Sequence, residues 1–204
     1  MEAAGAPMLH LDVGDGHFSP EVRFGQPMVE SLSKATALPL DVHLQIERPE
    51  RYAEEFVHLG ARRLAVHVEA AKDLFRLLSS IRRAGAKAGV ALRPETPWCA
   101  VSEALHAADY VILLATRCEE DASPALAKIR EADLWRREER RQLEICVEGG
   151  IGKASARQIG RAGADILIAG NAIFQSSDPA GQLKELAKQV APASKSSGSK
   201  QRNR

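Results

Sequence analysis

Seven short apolar runs rich in β-branched residues recur along the chain at intervals of roughly 20 to 35 residues, and this spacing strongly limits the folds available to it. Between the runs lie segments whose apolar residues follow helical spacing. Strands that alternate with amphipathic helices are typical of a parallel sheet built from βαβ units. The predicted strands are MLHLDV (8–13), LPLDVHL (38–44), RLAVHV (63–68), KAGVAL (87–92), DYVILLA (109–115), QLEICVE (142–148) and DILIAG (165–170).

A short glycine-containing motif marks the ends of predicted helices. LGAR (59–62), AGAK (84–87) and AGAD (162–165) each place a glycine just beyond a helix and just before a strand. A fourth copy, AGAP (4–7), precedes the first predicted strand, where almost no chain is left to form the helix. We therefore expect an α/β fold, a (β/α)8 TIM barrel whose first strand and most of whose first helix are missing. Unless the gap is covered in another way, an open parallel edge favours association, which would give a homo-oligomer.

Composition and charge exclude several other classes of protein. The 204 residues carry 28 basic and 27 acidic side chains, and 45% of the residues are hydrophobic, as in an ordinary globular domain. No apolar run approaches the length of a membrane span, and the N-terminus lacks a secretory signal, so we expect a cytoplasmic protein without a membrane partner. We expect one barrel domain over residues 1–191 and a disordered basic tail over 192–204. Nucleic-acid binding would depend on that tail alone, so we do not expect it.

Ionisable side chains stand near the ends of three predicted strands. His10 and Asp12 lie two residues apart on one face of the first strand, His43 ends the second, and Glu148 ends the sixth. A barrel gathers the carboxyl ends of its strands on one rim, so these four groups are expected to converge there. Two imidazoles and two carboxylates suit one divalent metal ion: zinc, manganese, iron or cobalt. The alternative is that Asp12 and Asp15 are turn residues and the histidines are core groups whose hydrogen bonds are satisfied.

Glycines follow the last two predicted strands and indicate a phosphate site. Gly149 and Gly150 come after the sixth strand, and Gly170 and Asn171 after the seventh. Backbone N–H groups at such positions can approach a phosphate closely, and barrels commonly hold phosphates in their last two loops. Ordinary helix-capping glycines are the alternative.

Six motifs, in this order, closely resemble ribulose-phosphate 3-epimerases: LHLDVGDGHFSP, LPLDVHLQIERPERY, VHVEA, AGAKAGVALRPETP, VEGGI and AGADILIAGNAIF. The resemblance runs from about residue 2 to 190. It implies a TIM barrel that binds one divalent metal and interconverts D-ribulose 5-phosphate and D-xylulose 5-phosphate, a step of carbohydrate metabolism. By position, His10, Asp12 and His43 match metal ligands of the family, and Asp12 also matches one of its two acid/base carboxylates. Glu148 stands where the family has the aspartate that is the fourth ligand and second acid/base.

The sequence departs from the family pattern at several positions. Gly14, Gln45 and Ala115 stand where the family has methionines, and the acidic run 116–124 replaces its glycine-rich phosphate loop. Two hypotheses follow. The first is an isomerase that epimerises a ketose phosphate by two-base proton transfer through Asp12 and Glu148. The second is a non-catalytic or repurposed homologue with weakened phosphate binding.

Overall fold

In the part of the chain that the structure describes, seven strands form one parallel sheet and are hydrogen-bonded in sequence order. The sheet is seen in a computed structural model that describes residues 1–101, 103–115 and 123–189. All seven predicted runs form strands, so this prediction is confirmed. The strands are β1 (Leu9–Gly14), β2 (Leu40–Gln45), β3 (Ala61–His67), β4 (Lys87–Leu92), β5 (Tyr110–Leu114), β6 (Glu144–Glu148) and β7 (Ile166–Ile168).

Helices connect the strands and cover the outer face of the sheet. Among the described residues, no helix is both long enough and apolar enough to cross a membrane. The predicted domain boundary at 191 and the tail 192–204 lie outside the described residues. The helices are α1 (Gln26–Ala35), α2 (Ala53–His58), α3 (Leu74–Ala84), α4 (Ser123–Glu138), α5 (Lys153–Ala162), α6 (Asn171–Phe174) and α7 (Pro179–Gln189).

The glycine motifs end helical segments as the sequence predicts. Gly60, Gly85 and Gly163 have φ angles of 118°, 104° and 121°, a region that favours glycine. In the fourth motif, Gly5 has a φ of 85° and closes a 3₁₀ turn over Glu2–Ala4. The AGAP motif therefore has the same local role as its three copies.

The two faces of the sheet pack differently because side chains alternate along each strand. The outer face contributes the large apolar side chains, which pack against the helices in one extensive core. The inner face holds a small cluster with Ala65, Ala91 and Cys146 beside the ring of Tyr110. That ring lies beside Gly89 on β4, where a Cβ atom would come within 2.3 Å of it. Glycine at this position makes room for the largest residue of the inner cluster.

The sheet curls strongly. Glu148 on β6 brings its Oε2 atom to 3.1 Å from His43 Nδ1 on β2, although four strand spacings separate β2 and β6. A flat sheet would hold these strands about 19 Å apart. Strands β1 and β7 are the edges and do not pair with each other within the described residues. An open cleft of about 460 Å³ lies between them.

Candidate metal centre and active site

Parallel pairing of β1 with β2 places the first polar side chains of the site side by side. His10 lies opposite Asp41, and Asp12 lies opposite His43. The last pair is Gly14 and Gln45. Because alternate residues share a face, the polar side chains of both strands point into the curled sheet. The curl then brings in Glu148 from β6. The four predicted metal-binding side chains are thereby brought together.

The four side chains form a compact group of donors. One ligand atom from each of His10, Asp12, His43 and Glu148 can be chosen so that all lie within 4.8 Å of one another. His43 Nδ1 is 3.1 Å from both Asp12 Oδ1 and Glu148 Oε2. His10 Nε2 is 3.5 Å from the same aspartate oxygen and 3.7 Å from the same glutamate oxygen. His43 is fully buried, and the other three side chains are 13–18% exposed.

This arrangement fits a divalent metal ion. The donors of a tetrahedral site with arms of about 2.0–2.1 Å lie about 3.3 Å apart, close to the separations found here. The Nε2 atom of His10 is buried and has no hydrogen-bond partner, although it faces two carboxylates. A buried nitrogen of this kind normally has a partner, and a cation between these groups would provide one. The site is therefore suited to a divalent metal.

The donors also shift one another's proton affinities. Although burial favours its neutral form, the neighbouring carboxylates of Asp12, Asp41 and Glu148 raise the pKa of His10 well above its usual value. Burial alone would also lower the pKa of His43, but Asp12 and Glu148 outweigh this effect and raise it. In return, the two histidines lower the pKa values of Asp12 and Glu148 despite the burial of both carboxyls. Both carboxylates are therefore ionised at neutral pH, the form that binds a cation or removes a proton.

Three side chains join the site that the sequence did not assign to it. Asp41 Oδ2 lies 2.9 Å from His10 Nδ1, on the side of the ring away from the donor cluster. Asp12 is held at both oxygens, because Gln45 Nε2 donates to Oδ1 and Arg23 Nη1 to Oδ2, each at 2.8 Å. Alternation along β2 puts Asp41 and Gln45 on the face of His43, which is a usable signal. Arg23 comes from the loop after β1, and no sequence pattern indicated it.

The glycines predicted to bind phosphate lie at the same end of the sheet as the donors. Gly149, Gly150, Gly170 and Asn171 line the cleft that also contains Asp12 and Glu148. Gly149 has a φ of 107°, and a Cβ there would lie 1.8 Å from the carbonyl oxygen of Ala115, so no other residue fits. The acidic run 116–124 is predicted to replace the phosphate loop. Its residues 116–122 lie outside the described residues.

Solved structures with similar folds are barrel enzymes that differ widely in sequence. The 3-hexulose-6-phosphate synthase of Salmonella typhimurium is 19% identical, with a TM-score of 0.63 over 89% of this chain and 85% of that chain. The enzyme KGPDC of Streptococcus mutans is 14% identical, with a TM-score of 0.67 over 89% of this chain and 84% of that chain. These likenesses confirm the predicted TIM-barrel type of fold, here formed by seven strands in a curled sheet.

Sequence comparison gives a closer relationship. Ribulose-phosphate 3-epimerase of Bacillus subtilis (strain 168) is 38% identical over 191 residues, which cover 91% of this chain and 88% of that protein. The enzyme of the same name from Aquifex aeolicus is 36% identical over 89% of this chain and 84% of its own length. The family model described as "Ribulose-phosphate 3 epimerase family" matches residues 1–174. The chain therefore belongs to the ribulose-phosphate 3-epimerase family.

Proposed function

We propose that this protein is a metal-dependent isomerase that interconverts D-ribulose 5-phosphate and D-xylulose 5-phosphate by epimerisation at C3. The observation that carries the proposal is that two carboxylates, Asp12 and Glu148, each lie 3.1 Å from His43 Nδ1 in one donor cluster. Relatives named ribulose-phosphate 3-epimerase, at 35–39% identity over most of the chain, support it.

The reaction needs two acid/base groups. The carbon beside the ketone must lose a proton from one face and gain one on the other, so a carboxyl group is required on each side. We assign these roles to Asp12 and Glu148. One removes the proton as a carboxylate, the other returns a proton as the acid, and the roles exchange in the reverse direction. The lowered pKa values of both groups favour the form that removes the proton.

His10, Asp12, His43 and Glu148 would hold the divalent metal. When bound, the ion supplies positive charge that stabilises the enediolate between the two proton transfers. The mixed nitrogen and oxygen donors suit zinc, manganese, iron or cobalt better than magnesium or calcium.

The substrate phosphate is assigned to the backbone N–H groups of Gly149, Gly150, Gly170 and Asn171, which line the same cleft as the carboxylates. In this proposal the protein's partner is a small sugar phosphate. The cytoplasmic location and a homo-oligomeric state stay predictions. The alternative of a non-catalytic homologue is not favoured, because all four donors converge.

Hydrogen exchange tests the proposal directly. The protein, loaded with Mn²⁺ or Zn²⁺, is incubated with ribulose 5-phosphate in D₂O, and deuterium at C3 is followed by NMR. We expect incorporation in the wild type and a loss of at least about 100-fold in Asp12→Asn and Glu148→Gln. Asp178→Asn is the matched control, since this exposed carboxylate caps α7 and lies outside the cleft. Absence of exchange in the metal-loaded wild type would refute the function.

A further inference from the structure

A buried carboxylate stands behind the donor cluster without belonging to it. Asp41 is 1% exposed, and its Oδ2 atom lies 2.9 Å from Nδ1 of His10. A carboxylate only accepts hydrogen bonds, so the imidazole must carry a proton on Nδ1. The ring then keeps its other nitrogen, Nε2, directed at Asp12 and Glu148.

The other oxygen of Asp41 has partners of its own. The buried hydroxyl of Tyr110 donates to Oδ1 at 2.8 Å, and Nε of Arg63 lies 3.4 Å from the same atom. The Arg63 guanidinium in turn stacks on the Tyr110 ring, 3.9 Å from its centroid, and pairs with Glu144. These groups orient the carboxylate.

We propose that Asp41 is a positioning residue that fixes the tautomer and ring orientation of His10, so that Nε2 presents its lone pair to the divalent cation. The inference rests on the proposed function, because it presumes that His10 is a metal ligand. Outer partners of this kind typically change metal affinity by 10- to 100-fold when they are removed. Asp41 touches neither the cation nor the substrate in this scheme.

The neighbours of Asp41 make Asp41→Asn a sharp test. The new amide must place its oxygen toward the donors of Tyr110 and Arg63, because an NH₂ group there would face a guanidinium. Its NH₂ group then faces His10 Nδ1 and donates to it. This hydrogen bond stabilises the His10 tautomer that carries its proton on Nε2. A protonated Nε2 has no lone pair to offer a metal.

The experiment measures Co²⁺ binding to the full chain by visible absorption, with activity left aside. We expect the dissociation constant to rise about 10- to 100-fold in Asp41→Asn. Glu144→Gln is the matched control, because it also removes a partner of Arg63 but leaves the contact between Asp41 and His10 intact. Its affinity should stay within about threefold of the wild type. Urea unfolding of each variant measures any general loss of stability.

Each outcome decides the question. Equal affinity in the wild type and Asp41→Asn, or equal weakening in both variants, would overturn the positioning role while leaving the metal site intact. Failure of the wild type to bind Co²⁺ would instead overturn the proposed metal site, and this inference with it. NMR of ¹⁵N-histidine in the Zn²⁺-loaded wild type needs no variant: we expect a proton on Nδ1 of His10, and a proton on Nε2 would refute the idea.

Discussion

Replacing Gly89 by alanine tests whether the inner layer of the sheet is packed as tightly as the geometry indicates. The added Cβ would lie 2.3, 2.5 and 2.6 Å from three ring atoms of Tyr110, against an ordinary contact of 3.4 Å or more. The ring would have to move about 1 Å. It is held by its bond to Asp41 and by the guanidinium of Arg63. We expect the free energy of unfolding to fall by about 3 kcal/mol. Alanine also lowers the conformational entropy of the unfolded chain, but this offsets only part of the loss.

Guanidinium-induced unfolding followed by circular dichroism measures this loss. Gly170→Ala is the control, because nothing lies within 4 Å of a Cβ at that position and its φ is −104°. We expect this control to change stability by less than about 0.5 kcal/mol. In a double-mutant cycle, Tyr110→Ala should remove most of the effect of Gly89→Ala, since the clash is with that ring. Additive effects, or a Gly89→Ala protein as stable as the wild type, would show that the clash is not real.

Three further predictions concern charge and metal. Although burial raises it, the pKa of Glu69 is lowered to about 2, in part by a hydrogen bond with His67. The ionised Glu69 carboxylate therefore stabilises the fold above pH about 4.5, and this stabilisation is lost toward pH 2. Urea unfolding should show Glu69→Gln about 2 kcal/mol less stable than the wild type at pH 7, with a smaller difference at pH 3. Arg136→Met should lower the free energy of unfolding by about 2 kcal/mol, because the Arg136 guanidinium contacts two carboxylates and two carbonyl oxygens. Arg137→Met removes one exposed ion pair and should lower it by less than about 1 kcal/mol in the same assay. Zn²⁺ at 100 times its dissociation constant should stabilise the wild type by about 2.7 kcal/mol in thermal unfolding, an effect that a chelator reverses and His10→Ala lacks.

Local chemistry made the framework of the fold predictable. Each strand is a short apolar run, and β1, β3, β4 and β7 also follow a glycine that ends a helical segment, so these signals depend only on near neighbours in sequence. The cap of the last helix shows the same locality, since Asp178 Oδ1 accepts from the N–H of Gly181, three residues on. The convergence of His10, Asp12, His43 and Glu148 was predictable because parallel strands end on one rim, which needs only the order of the elements.

Partners across the sheet could not be predicted in this way. That Asp41 meets His10 depends on the register of β1 against β2, and a shift of one residue would turn Asp41 to the other face. Trp98 and Trp135 are far apart in sequence, yet their rings pack edge to face with centroids 6.1 Å apart. Arg23 reaches Asp12 from the loop after β1, eleven residues along the chain. Such pairings are decided by the whole fold.

Assembly of the donor cluster does not depend on contact between the two edges of the sheet. Strands β1 and β7 leave an open cleft between them, yet His10, Asp12 and Glu148 are only 13–18% exposed, and His43 is fully buried. The curl that joins β6 to β1 and β2 is accompanied by continuous packing of the outer face against the helices. The unpaired edges therefore affect chiefly the cleft where we place the phosphate. A second chain that covered this cleft would alter substrate access far more than it would alter the geometry of the metal donors.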